Sequence, residues 1–168
     1  MGIAVLEKKI LQTPRFSVVE RVFKSRSRCV IRHPGAVTIV PWVDSKRICM
    51  IRNYRDAVGR ELIELPAGTR EPGESALETA KRELAEETGY HCKRLEPLLE
   101  FFVSPGIMDE TMSVFVASEL TAGSQELMDD EEIEPLIVEF EEAIQWIRNG
   151  KICDGKTIAI LLYLGSMS

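Results

Sequence analysis

The stretch Gly68–Tyr90, GTREPGESALETAKRELAEETGY, decides how the rest of this chain is read. Pro72-Gly73 makes a turn, and Ser75 followed three residues on by Glu78 is a capping-box pattern that starts a helix. Leu77, Ala80 and Leu84 supply its apolar stripe, and Gly89 is the expected stop. Glu83, Glu86 and Glu87 fall on nearly one side of that helix, because spacings of three and four residues return to the same face. They crowd the end where the helix dipole disfavours anions by roughly 0.3–1 kcal/mol each. A divalent cation held by these groups would offset both their mutual repulsion and the dipole cost.

Outward from the helix the chain reads mainly as strands. Glu61-Leu-Ile-Glu-Leu65 is a short alternating strand that ends at Pro66-Ala67-Gly68. Before it, Ala36–Val43 and Arg47–Tyr54 are β-rich runs joined through a hairpin turn at Asp44-Ser45. Residues 1–33 read as two or three short strands with few residues to make a core alone. After the helix come strands at about Leu95–Val103 and Thr111–Ser118, separated by Ser104-Pro105-Gly106. The acidic loop Asp129–Glu132 leads to a strand near Leu136–Phe140, and helices at Glu141–Asn149 and about Gly155–Leu164 close the chain. This order predicts an α+β layer fold, with a small N-terminal β segment (1–35) preceding a main domain (36–168).

Composition limits the function classes. With 168 residues, 45% hydrophobic and 29% charged, the chain reads as one ordinary globular unit. A formal net charge of −6 argues against nucleic-acid or acidic-membrane partners, which need a basic field. Cys29, Cys49, Cys92 and Cys153 are scattered without a CxxC pair, which disfavours a zinc site or disulfide framework. The N-terminal residues lack a signal-peptide pattern and the apolar run Ile158–Leu164 is too short to span a bilayer. A cytoplasmic protein is expected.

Gly68, then Glu74 after five residues, then Arg82-Glu83-Leu84-Ala85-Glu86-Glu87-Thr88-Gly89-Tyr90 after seven, resembles the Nudix box G-x5-E-x7-R-E-U-x-E-E-x-G-U at every defined position. Outside the box, Ile51-Arg-Asn-Tyr-Arg55 with Glu61–Gly68 is similar to the RQYR…ELPAG stretch of ADP-ribose pyrophosphatases, with Asn53 where glutamine is common. Pro105, sixteen residues beyond Gly89, falls where that subfamily carries its marker proline, and Ile152–Thr157 is similar to its ending. The resemblance implies an α/β/α sandwich on a mixed sheet. It also implies Mg2+-dependent (or Mn2+-dependent) hydrolysis of ADP-ribose to AMP and ribose 5-phosphate, with two or three ions per site.

The same resemblance distributes roles. Glu83 and Glu87, with Glu86 and the carbonyl of Ala67, would hold the metal. Arg82, pairing with Glu78 or Glu86, and Glu74 would support the helix. Arg55, Arg28 and Glu110 would touch substrate, Arg55 at the diphosphate or adenine side and Glu110 at the terminal ribose. Glu131, then Asp129, with Glu132 beside them, are the candidates for general base. Pro105 would position, Trp42 and Trp146 would be core, and His33 and His91 receive no role. The N-terminal strands resemble a segment exchanged between subunits, so a homodimer with a shared site is expected. Competing readings are a Nudix hydrolase of another nucleotide (GDP-mannose, NADH or a diadenosine compound), a non-catalytic ADP-ribose sensor, or a structural domain with a vestigial box.

Overall fold

The computed structural model describes residues 6–23, 26–127 and 132–167. Three antiparallel strands come first, β1 (Leu6–Gln12), β2 (Ser17–Phe23) and β3 (Arg26–Arg32), forming a sheet in that order. The remaining strands are β4 (Ala36–Pro41), β5 (Arg47–Arg55), β6 (Arg60–Glu64), β7 (Ala67–Thr69), β8 (Tyr90–Phe102), β9 (Thr111–Ala122) and β10 (Ile133–Glu139). They make two further sheets, β10-β5-β6 and β7-β4-β9-β8. The second is mixed, since β4 and β9 run parallel while its other pairs are antiparallel.

Strand β4 explains the layering. All six of its residues are buried, as expected of a strand covered on both faces. Val37 and Ile39 face Ala80 and Leu84 of helix α1 (Ala76–Thr88), joined by Phe115 and Ala117 of β9. Ala36 and Val40 face a larger core that includes Ile48, Met50 and Leu65. This second core is closed by Phe140 and Ile144 of α2 (Phe140–Arg148) and Ile160 and Leu161 of α3 (Gly155–Gly165). Helices therefore cover opposite faces, which is the α/β/α sandwich expected. Trp42 stacks on Phe140 with ring centroids 5.3 Å apart, and Trp146 packs on the same core, so both tryptophans are packing residues.

One expectation is corrected. The turn at Asp44 exists, with its Oδ1 accepting from the amides of Lys46 and Arg47 at 2.9 and 2.8 Å. The runs on either side do not continue as a hairpin, however, and only Trp42 and Ile48 form a bridge. Strand β4 already pairs with β7 on one edge and β9 on the other, so β5 must leave for the second sheet. Strand β8 also starts earlier than read, directly after Gly89.

The N-terminal sheet is tied to the rest through the turn after β8. Ile31 pairs with Met108, its amide donates to the Ile107 carbonyl at 2.9 Å, and its carbonyl accepts from Asp109 at 3.1 Å. Asp109 also takes Arg32 at 2.5 Å and the amide of His33 at 2.9 Å. At the same end of this sheet, where Ser17 pairs with Arg32, Thr13 and Phe16 close the β1–β2 turn through three hydrogen bonds of 2.8–2.9 Å.

Candidate active site

Helix α1 is built as its sequence prescribes. The Ser75 Oγ accepts from the Glu78 amide, the Glu78 carboxylate accepts from the Ser75 amide, and Gly89 ends the helix at φ 71°. No basic residue occupies its last turn, so the carboxylates there meet the unfavourable end of the dipole without a cation of that turn to offset it. Glu83 and Glu87 are 9% and 4% exposed.

Arg82 gathers the acidic face. Its Nε donates to Glu74 at 2.9 Å, and its Nη1 donates to Glu83 and Glu86 at 2.7 and 2.8 Å. Its Nη2 reaches Glu74 at 3.1 Å and the Thr69 carbonyl at 3.3 Å. Of the two partners expected for Arg82, the structure selects Glu86, because Glu78 is engaged in the cap. The hydrogen bonds from Arg82 hold the Glu74 carboxyl down at about 2, and Glu74 in turn raises Arg82. Both are supports.

Strand β7 lies against this helix. The Ala67 amide donates to Glu87 Oε2 at 2.8 Å. A Cβ at Gly68 would lie 1.8 Å from Glu83 Oε1, so only glycine lets the carboxylate occupy that place. A cleft of about 630 Å³ opens here, lined among others by Glu83, Glu87, Arg82, Arg55, Arg70 and Arg15. A second hollow of about 580 Å³ shares Arg55 and Ala67–Thr69 with it and continues past Glu110 and Lys156.

Between the two hollows sits a charge cluster that the sequence did not announce. Glu64, only 1% exposed, accepts from Arg55 Nε at 2.8 Å and Nη2 at 2.6 Å, and from Lys156 Nζ. Burial pushes its carboxyl up, but the hydrogen bonds and charges of Arg55 and Lys156 prevail and leave it lowered. Lys156 also donates to Asp154 at 2.9 Å, and Asp154 caps α3 through the Thr157 amide at 3.0 Å. Glu64 could have been suspected as a charged residue within an otherwise buried strand end. Nothing in the sequence ties it to Lys156.

The other expected site residues divide. Arg55 is at the seam of the two hollows, and Glu110 lines the second, its Oε1 3.6 Å from His33 Nδ1. The Gly35 amide lies 3.2 Å from the same nitrogen and donates to it. Arg28 is exposed on β3 and lines neither hollow. Glu132 is exposed and borders a separate depression with Arg52 and Tyr54, while Asp129 and Glu131 lie outside the described residues. Arg15, Arg32 and Arg70 border the cleft without having been anticipated.

Among the described residues no group of three or more metal-binding side chains already stands as a cation cage, and Arg82 holds oxygens of Glu83 and Glu86. The donor set nevertheless suits a hard divalent cation, since Glu83, Glu86 and Glu87 are carboxylates one helical turn or less apart, two of them buried beside a cleft.

The cleft pairs a buried carboxylate face with arginines, oxygen donors beside N–H donors. The NUDIX domain model matches residues 32–159, and the chain belongs to the Nudix family. The ADP-ribose pyrophosphatase of Bacillus subtilis is 38% identical over 84% of this chain and 77% of its own length. The methanol dehydrogenase activator of Bacillus methanolicus is 37% identical with the same coverage. A GDP-mannose pyrophosphatase of Escherichia coli O1:K1 is 32% identical over 85% and 79%. A crystal structure of an ADP compounds hydrolase superposes with TM-score 0.80 at 23% identity, over 98% of this chain and 92% of that one, and shows the shared fold.

Proposed function

We propose that this chain hydrolyses ADP-ribose to AMP and ribose 5-phosphate. The observation that carries the reading is Glu83 seated against Gly68 beside Glu87 and Arg55 at one cleft, in a chain 38% identical to an ADP-ribose pyrophosphatase. In the reaction a water oxygen bonds to one phosphorus, the bridging P–O bond breaks, and the released phosphate carries off the electron pair. Glu83, Glu86, Glu87 and the Ala67 carbonyl would hold a divalent cation such as Mg2+, which would supply charge neutralisation and acidify water. Arg55 holds the diphosphate from the opposite side and Glu110 the ribose, while Arg82 and Glu74 keep the carboxylates aligned. On sequence grounds the general base belongs to Glu131, Asp129 or Glu132.

Strand β1 supports a homodimer formed through residues 1–35, because Leu6, Ile10 and Leu11 on it are exposed. Arg28, turned away from its own cleft, then serves the partner's. A solution mass showing monomer alone at micromolar concentration would defeat that assignment. Four free thiols fit a reducing, cytoplasmic setting, and no helix among the described residues is long and apolar enough to cross a membrane.

Turnover of a nucleotide-diphosphate panel with Mg2+, read as released monoester, tests the substrate. ADP-ribose is expected to give the highest kcat/KM; GDP-mannose in first place would establish the alternative that the Escherichia coli relative suggests. Glu87→Gln is expected to lose at least about 10²-fold in kcat with the fold intact, as when a charge-stabilising group is removed. An unchanged rate would remove Glu87 from the metal set.

A further inference from the structure

We infer that Glu64 is the positioning residue of the substrate-binding Arg55, and that Lys156 from the far end of the chain holds Glu64 in turn. This rests on Arg55 contacting substrate. The two residues are not cross-strand partners, for the register pairs Arg55 with Arg60 and Glu64 with Ile51. Arg55 must therefore lie back along the sheet to reach Glu64, although its side chain is 39% exposed and stands near the strand end. Left alone, a long side chain there would sample solvent-facing rotamers. The two hydrogen bonds of 2.8 and 2.6 Å fix the plane of the guanidinium instead.

Two of the five N–H groups of Arg55 are directed at Glu64, and the other three have no partner among the described residues. They belong to a group that borders both hollows, where a substrate crossing from one to the other must pass. Arg82 differs in this respect, since its N–H groups are engaged by three carboxylates and a carbonyl. A carboxylate buried between two cations is also a poor way to gain stability alone, because its desolvation cancels much of the attraction. Lys156 supplies the second cation across 92 residues of sequence and is itself fixed by Asp154 at the cap of α3.

A double-mutant cycle separates positioning from bulk structure. Arg55→Ala is expected to lower kcat/KM for ADP-ribose about 10²-fold, chiefly through KM. Glu64→Gln, which sets an amide donor against the donors of Arg55, is expected to lower it about 10-fold or more, again through KM, with Glu64→Asp recovering part. In the Arg55→Ala background, Glu64→Gln is expected to add less than about 3-fold, because its effect passes through the missing arginine. Lys156→Met is expected to show a smaller loss of the same kind, and it carries the cycle with Arg55→Ala if circular dichroism shows Glu64→Gln unfolded. Equal losses in both backgrounds, or no loss in the wild type, would overturn the inference. Full activity of Arg55→Ala would instead overturn the substrate-contact reading beneath it.

Discussion

The helix-borne cluster around Arg82 and the strand-borne cluster around Glu64 are charge inverses of each other. In the first, one guanidinium is shared by Glu74, Glu83 and Glu86. In the second, one carboxylate is shared by Arg55 and Lys156. The first offers the cleft oxygen donors, which suit a cation; the second offers N–H donors, which suit an oxyanion. A diphosphate carries charge that calls on both kinds of group, and this fold presents the first from α1 and the second from β5, β6 and the start of α3. Separating the two kinds of charge onto different elements lets each be fixed by its own supports.

That division can be broken selectively. The largest effect is expected from Gly68→Ala, whose Cβ would stand 1.8 Å from the Glu83 carboxylate and force it aside. A fall of about 10²-fold or more in kcat is expected, with KM for ADP-ribose nearly unchanged because the Glu64 cluster is untouched. A fall confined to KM would show that the two clusters do not act separately.

A smaller effect sharpens the comparison through pH. The Glu74 carboxyl is lowered in the folded protein from 4.5 to about 2, mainly by its hydrogen bonds from Arg82. A lowered folded-state pKa means that the stabilisation is complete above the unfolded value and disappears as pH falls through the folded one. The ion pair is therefore expected to lose its contribution between pH 4.5 and about 2. Denaturant midpoints across that window should fall less steeply for Glu74→Gln than for the wild type; parallel curves would contradict the assignment. The smallest effect belongs to the helix start. Ser75→Ala removes one half of the capping box and should cost about 1 kcal/mol in denaturant unfolding without changing kcat. A change in kcat would mean that the cap reaches the carboxylates.

The two clusters also differ in how far they were legible. The Arg82 cluster lies within one helix and the turn before it, so residue spacing alone places Glu83, Glu86 and Glu87 on one face, and the capping box and Gly89 mark both ends. The Glu64 cluster draws on β5, β6 and the start of α3, and that convergence depends on strand register and on how α3 packs. The same limit applied to the strands themselves. Their positions followed from β-rich runs and turn residues, but that β4 and β5 part into different sheets followed from both edges of β4 being taken. The arginines bordering the cleft, Arg15 and Arg32 among them, could not be picked from the other surface arginines before the β1–β2 turn was seen to reach it.

The parallel pairing of β4 with β9 carries a consequence for time. Ala36 meets Met112 only after the whole intervening chain has been looped back, and that loop contains β5, β7 and all of α1. Loop-closure entropy opposes this pairing before its contacts return anything, which places such topologies on the slower side of single-domain folding. Helix α1 docks on Val37 and Ile39 of β4 together with Phe115 and Ala117 of β9, a surface that exists only once the loop has closed. During refolding, recovered activity should thus trail any early helical signal and coincide with the final consolidation of the sheet.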